Sequence, residues 1–319
     1  MAWIFVALGL VTLLLAGDFL VRGAVNLALR LGISALLVSL TVVAFGTSAP
    51  ELLIVLSAMA DGASGLAMGN VIGSNTANIL LVLGLPALIA VLHTADFFPK
   101  KSFLLMILAT VLFIGLAFCG PFTWWHGGIL LAVLLCILWD QGRSAQRDRQ
   151  AAKTAALVAV EEDGLEGVDP TMPGWKIALY LMFGLVGLPI GARVLVVNAE
   201  MIAKDYGVPE TAIGLTLIAV GTSLPELATT TIAAFRRQGD VALGNVIGSN
   251  MFNLLAIIGI AAFVAPIPVD AAFLRFDLWI MLAASLLLFP MVFFKINFTR
   301  MWGAGLTLLY MAYLFVVLL

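Results

Sequence analysis

Charge is the scarcest ingredient of this sequence. Of 319 residues only 11% are Asp, Glu, Lys or Arg, while 63% are hydrophobic and the mean hydropathy is +1.14. Soluble domains carry about 25% charged residues. So few charges cannot clothe a water-facing surface, so lipid must solvate much of the chain. A net charge of −2 excludes a basic surface for nucleic acid. Histidine and cysteine are nearly missing, with two of each. Cys119 and Cys136 lie in apolar runs far from any Cys/His cluster and read as core residues, not as a disulfide or a metal site. The opening MAWIFVALGLVTLLLAGDFL has no basic n-region and no clear small-residue cleavage site, and reads as a retained first span.

What the chain has in abundance is apolar runs of about 20 residues, the length that crosses a bilayer. Ten are expected: about 2–20, 33–59, 65–91, 102–119, 123–140, 176–198, 209–235, 241–265, 277–294 and 300–318. The fold class is therefore an all-α integral membrane protein with ten transmembrane helices. The polar stretch 141–175 reads as a cytoplasmic linker between two five-helix halves, 1–140 and 176–319. Orientation follows from the excess of Lys and Arg on cytoplasmic loops. With both termini outside, the cytoplasmic side collects 13 of the 16 basic residues, leaving only Arg193, Lys204 and Arg275 elsewhere. The seven tryptophans fall near proposed span ends, where bilayer interfaces favour them.

The halves carry an internal repeat. Residues 46–84 and 221–259 align without a gap at an offset of 175, with 18 of 39 positions identical and the block GNVIGSN recurring whole. The repeat motifs extend over 40–84 and 215–259. Five spans separate equivalent points, an odd number, so the second copy is inverted relative to the first. Inverted repeats with interrupted helices at matching places point to a transporter site near the bilayer midplane.

The repeated residues suit a hard cation. Pro50, in Gly46-Thr47-Ser48-Ala49-Pro50-Glu51, has no N–H and crowds the carbonyl four residues back, so the span should kink and free backbone oxygens. Thr47 and Glu51 share a helix face, with Ser48 beside them. Thr222, Ser223 and Glu226 repeat the set. Ser74 and Asn78 are also four apart, as are Ser249 and Asn253, each pair following a GxxxG packing motif. Folded together, these residues form an all-oxygen cluster, the ligand type Ca²⁺ prefers. A carboxylate at mid-membrane costs about 2.5–3.5 kcal/mol on insertion scales. Bearing that cost twice, at equivalent positions, favours function over accident. Asp18 and Arg193 lie toward the ends of equivalent spans and read as snorkelling or as neighbours of the ion path. Asp61, Glu200, Asp205 and Glu210 read as solvated.

The duplicated GTS-x-PE and GNVIGSN-x-x-N segments resemble those of the Ca²⁺/cation antiporter superfamily, especially the compact prokaryotic sodium/calcium exchangers. The resemblance implies antiport by alternating access, with Ca²⁺ and Na⁺ as transported substrates and no resident cofactor. It implies a central Ca²⁺ site using Glu51 and Glu226 with backbone oxygens of Thr47 and Thr222. It also implies flanking Na⁺ sites using Ser48, Ser74, Ser223, Ser249 and the carbonyls of Ala44 and Ala219, with the first and sixth spans sliding against the rest. Such exchangers commonly place Asp where this chain has Asn253, which puts weight on the identity of the counter-ion. Ca²⁺/H⁺ exchange through the same glutamates is the alternative. An intramembrane enzyme is disfavoured because a symmetric pair gives acid and base equal surroundings. A passive channel is disfavoured by a closed, charged cluster. The setting implied is a bacterial inner membrane.

Overall fold

Apolar segments became helices throughout the described residues. The structure is a computed structural model describing residues 1–92, 100–147, 169, 171–207 and 219–318. Twelve helical segments follow in order. They are α1 (Ala2–Leu31), α2 (Ala35–Thr47), α3 (Ala49–Ala60), α4 (Ser64–Ile89), α5 (Lys100–Phe118) and α6 (Trp124–Arg147) in the first half. The second half has α7 (Gly174–Asp205), α8 (Ala219–Thr222), α9 (Leu224–Phe235), α10 (Gly239–Val264), α11 (Phe273–Phe294) and α12 (Arg300–Leu318). Eight are long and apolar enough to span a bilayer, and the bent pair α2–α3 makes a ninth among the described residues. Of the remaining expected span, 209–235, the seventh in order, only the part from Ala219 is described, and most of the 141–175 linker lies outside the described residues.

The 175-residue offset governs the architecture as well as the motifs. The bounds of α3 and α4 recur at that offset in α9 and α10. Inversion is visible where α1 meets α7. Gly9 lies against Leu195, Ala16 against Gly187, Leu20 against Gly184 and Gly23 against Leu181, so the two helices run antiparallel. Small residues allow this approach: a Cβ built on Gly184 would stand 2.6 Å from the Leu20 side chain. α1 overruns its expected end at residue 20 and stops at Gly32, whose φ of 66° closes it. Asp18, Arg22, Asn26 and Arg30 recur every four residues, so the overrun keeps its polar groups on one stripe.

The repeat motifs form the centre. Within the protein, 89% of the spanning window of α10 and 78% of that of α4 are buried, against 17% in α12. Gly244 and Gly248 let α10 rest on α2, where an added Cβ would meet the Leu36 and Leu40 carbonyls at 2.8 and 2.5 Å. Two isolated β-bridges cross between halves. Leu92 at the end of α4 pairs with Phe298 before α12, and Ile267 after α10 pairs with Phe122 before α6. The bonds run 2.8–3.2 Å. On the linker side, the Asp169 N–H donates to Asn26 Oδ1 at 2.8 Å. The hydroxyl and N–H of Thr171 hold the Asp169 carboxyl below the usual range.

One expectation is corrected. Cys119, just after α5, and Cys136, on α6, are exposed free thiols, not core residues. In a lipid-solvated protein an apolar run does not distinguish the inward face from the outward one. Trp3, Trp124, Trp125 and Trp175 are exposed near helix ends, as interfacial anchoring requires, while Trp139 and Trp279 are exposed further inside α6 and α11. His93 lies outside the described residues, while the His126 ring accepts from the Thr123 N–H at 3.1 Å.

Candidate ion-binding site

The site starts from two breaks in the helical ladder. Ser48 and Ser223 leave helical geometry, at φ −84°, ψ 1° and φ −88°, ψ 7°. The Ser48 N–H donates to the Ala44 carbonyl at 3.0 Å, and bonding resumes with the Leu52 N–H on the Ser48 carbonyl at 3.2 Å. Pro50 and Pro225 cannot donate to Gly46 and Gly221, so each break frees a carbonyl. α2 and α3 meet at 40° there. Ala219 is the first described residue of the helix before the second break. Glu51 and Glu226 fall in the first turn of α3 and α9, where exposed N–H groups favour negative charge.

Both carboxylates are sealed from solvent, at 1% and 0% exposure, and they interact electrostatically with each other. Thr47, Ser48, Ser74, Asn78, Thr222, Ser223, Ser249 and Asn253 are buried as well. Asn78 begins the π-helical turn Asn78–Val82 and Asn253 is the second residue of the turn Phe252–Ile257, a distortion frequent at functional sites. Contacts cross the repeat boundary. Ser48 Oγ donates to Glu226 Oε1 at 3.4 Å, and Thr47 Oγ1 lies 3.4 Å from Ser249 Oγ and 3.1 Å from Asn245 Oδ1. Asn78 Nδ2 donates to Asn250 Oδ1 at 3.1 Å. The Ala44 carbonyl accepts the Thr47 hydroxyl at 3.3 Å besides the Ser48 N–H.

Many oxygens in this cluster have no donor. Both carboxylate oxygens of Glu51, Oε2 of Glu226, the hydroxyls of Ser74 and Ser223 and the amide oxygens of Asn70, Asn75, Asn78 and Asn253 are buried without a hydrogen-bond partner. Buried polar atoms are nearly always bonded, because each orphan costs about 1–3 kcal/mol. A concentration of orphan acceptors, with carboxylates among them, suits a bare cation. Among the described residues no group of three or more His, Cys, Asp or Glu could hold a metal ion, so the charge comes from two glutamates and the remaining ligands are neutral oxygens.

Asn75, Asn245 and Asn250 belong to the cluster beside the expected Asn78 and Asn253, and the Asn70 amide oxygen is buried without a partner. Asn245 Nδ2 reaches the Glu226 carbonyl at 3.4 Å and Thr230 Oγ1 at 3.2 Å. Asn75 and Asn250 point their amide N–H groups at the sulfurs of Met281 and Met106, at 3.7 and 3.9 Å. Their signal was present in GNVIGSN, which recurs whole, asparagines included.

Two inverted helical halves folded around a buried oxygen cluster define a membrane transporter rather than an enzyme. The chain belongs to the sodium/calcium exchanger protein family, whose model matches residues 1–141 and 176–319. It is a transmembrane cation antiporter. It is 38% identical to a putative antiporter, CaxA, of Alkalimonas amylolytica, over 91% of this chain and 89% of that one. It is 31% identical to the sodium/calcium exchanger MaX1 of Methanosarcina acetivorans, over 99% and 98% of the two chains. A solved structure of the sodium-calcium exchanger NCX_Mj, soaked with Na⁺ and Ca²⁺, superposes with a TM-score of 0.80 at 28% identity, covering 98% of this chain and 96% of that one.

Proposed function

We propose that this antiporter exchanges Ca²⁺ for Na⁺, with Glu51 and Glu226 holding the calcium ion between the two halves. The observation that carries this reading is the set of buried oxygens without donors around the two carboxylates. Backbone oxygens of Thr47 and Thr222 complete the calcium shell. Ser48, Ser74, Ser223, Ser249, Asn78 and Asn253, with the carbonyls of Ala44 and Ala219, provide the flanking places for Na⁺. Two carboxylates are neutralised by one divalent ion or by two monovalent ions, so either occupant relieves the repulsion of an empty site. That shared relief couples the two fluxes. The names of MaX1 and NCX_Mj agree with it.

The first and sixth spans, α1 and α7, act as the moving units against the rest of the halves 1–140 and 176–319, which are joined by a cytoplasmic 141–175 linker, with both termini periplasmic in a bacterial inner membrane. Protons are the competing counter-ion. Both oxygens of Glu51 lack a donor, and a proton there would supply one. Everted vesicles separate the readings. Calcium uptake should follow an imposed Na⁺ gradient and not a pH gradient of equal size. Uptake driven by pH alone would replace Na⁺ with H⁺, and no calcium movement under either gradient would remove calcium as the cargo.

A further inference from the structure

The sequence places opposite charges at equivalent positions of the two repeats, twice. Asp18 in α1 corresponds to Arg193 in α7, and Asp61 after α3 corresponds to Arg236 after α9. The inverted symmetry therefore creates two mirror pairs of reversed polarity, Asp18 with Arg236 and Arg193 with Asp61. Only the first is made. Arg236 Nε donates to Asp18 Oδ1 at 2.5 Å, with Arg236 Nη2 on the same oxygen. Arg193 and Asp61 are both exposed, with no ion pair among the described residues.

Packing follows the same division. α1 lies on α9, with Gly17 against Ala228 and Ile232, and Arg236 continues that face at the next four-residue step. The equivalent face of α3 is Leu53, Ser57 and Asp61, and it is bare. Leu53 is 68% exposed, whereas its counterpart Ala228 is 7% exposed. α7 has no comparable packing on α3. Arg22, 2.9 Å from Asp18, corresponds to Val197 and has no charged counterpart. Asp18 therefore has a second cationic partner besides Arg236.

We propose that Asp18, Arg236, Arg193 and Asp61 are further positioning residues of the transport cycle: two charge-reversed latches, of which one is closed in each access state. In the state described, Asp18–Arg236 locks α1 onto α9. In the opposite state α1 leaves α9, α7 closes on α3, and Arg193–Asp61 forms. The reversed polarity keeps the latches from cross-pairing, since α1 and α7 carry opposite charges at the latch position and attract rather than exchange partners.

The test reads accessibility instead of ion flux, so it stands apart from the identity of the exchanged ions. In the full chain carrying Cys119→Ser and Cys136→Ser, Ile232→Cys or Ser57→Cys reports on each face. A membrane-impermeant maleimide is applied to open membrane fragments, so orientation does not matter. Arg236→Ala is expected to raise Ile232→Cys labelling and lower Ser57→Cys labelling, each about two- to fivefold, the size of one ion pair. The swap Asp18→Arg with Arg236→Asp should restore both rates. A rise at Ile232→Cys with Ser57→Cys unchanged would mean a local structural tie and overturn the proposal, as would no movement at either. Arg193→Ala provides a second arm: it should raise Ser57→Cys labelling and lower Ile232→Cys labelling, and any other result there also overturns it.

Discussion

Glu51 and Glu226 sit at equivalent places in near-identical motifs, yet their neighbours treat them differently. Ser48 donates to Glu226, while the equivalent Ser223 hydroxyl and both oxygens of Glu51 stay unbonded. Asn78 is bonded to Asn250, while Asn253 Nδ2 and Asn75 Oδ1, which would make the mirror bond, are both orphans. Asn245 Oδ1 accepts from Thr47, while Asn70 Oδ1 accepts nothing. Like residues in like local structure made unlike bonds, so the difference is conformational. An inverted-repeat protein adopting a single symmetric state would have made each pair twice. Here every inequality falls the same way, as expected of one of two alternating states.

That comparison can be broken or sharpened by substitution. The largest effect is expected at the carboxylates. Glu51→Gln and Glu226→Gln should each cut calcium flux into vesicles by about 100-fold or more while the protein still inserts, because a buried charge site loses half its charge. Transport at normal rates by both variants would remove these residues from the ion path. Next is Ser48→Ala against Ser223→Ala. Losing a hydroxyl that donates to a carboxylate costs about 1.5–3 kcal/mol. Ser48→Ala should lower the Tm of the ion-free protein more than Ser223→Ala does, and equal shifts would mean that the halves interconvert freely at rest.

A smaller difference separates Asn245→Ala from Asn70→Ala. Asn245 makes contacts to Thr47, Glu226 and Thr230. Its loss should cost about 1–3 kcal/mol, against less for Asn70, as read by thermal unfolding in detergent. The smallest expected change in calcium recognition is at Asn253→Asp. It places a carboxylate where both amide atoms of Asn253 are unbonded, so the counter-ion dependence of transport should shift more than half-saturation by calcium. Unchanged counter-ion dependence would count against a place for Asn253 in the monovalent-ion site.

The doubling was legible in sequence because a gapless 175-residue offset fixes helix bounds as well as motifs. The cluster residues were legible because polar groups are costly in an apolar span and stand out there. The overrun of α1 to Leu31 was not, since Asp18, Arg22, Asn26 and Arg30 lower the mean hydropathy although they share one stripe. The exposure of Cys119 and Cys136 was not, since apolar residues serve both core and lipid faces. The inequality of the halves could not be read from identical motifs at all. The charge reversal at Asp18, Arg193, Asp61 and Arg236 is a departure from the repeat that could be read from sequence, and its partners became evident once α1 lay on α9.

The two β-bridges bear on how the chain is made. Leu92, at the exit of the first half's central helix, finds its partner at Phe298, and Phe122 finds its partner at Ile267. The first half therefore leaves the insertion machinery with its edges unpaired, and they wait for residues synthesised near the end. Halves expressed as separate polypeptides should accumulate only when produced together, each acting as the template on which the other finishes folding.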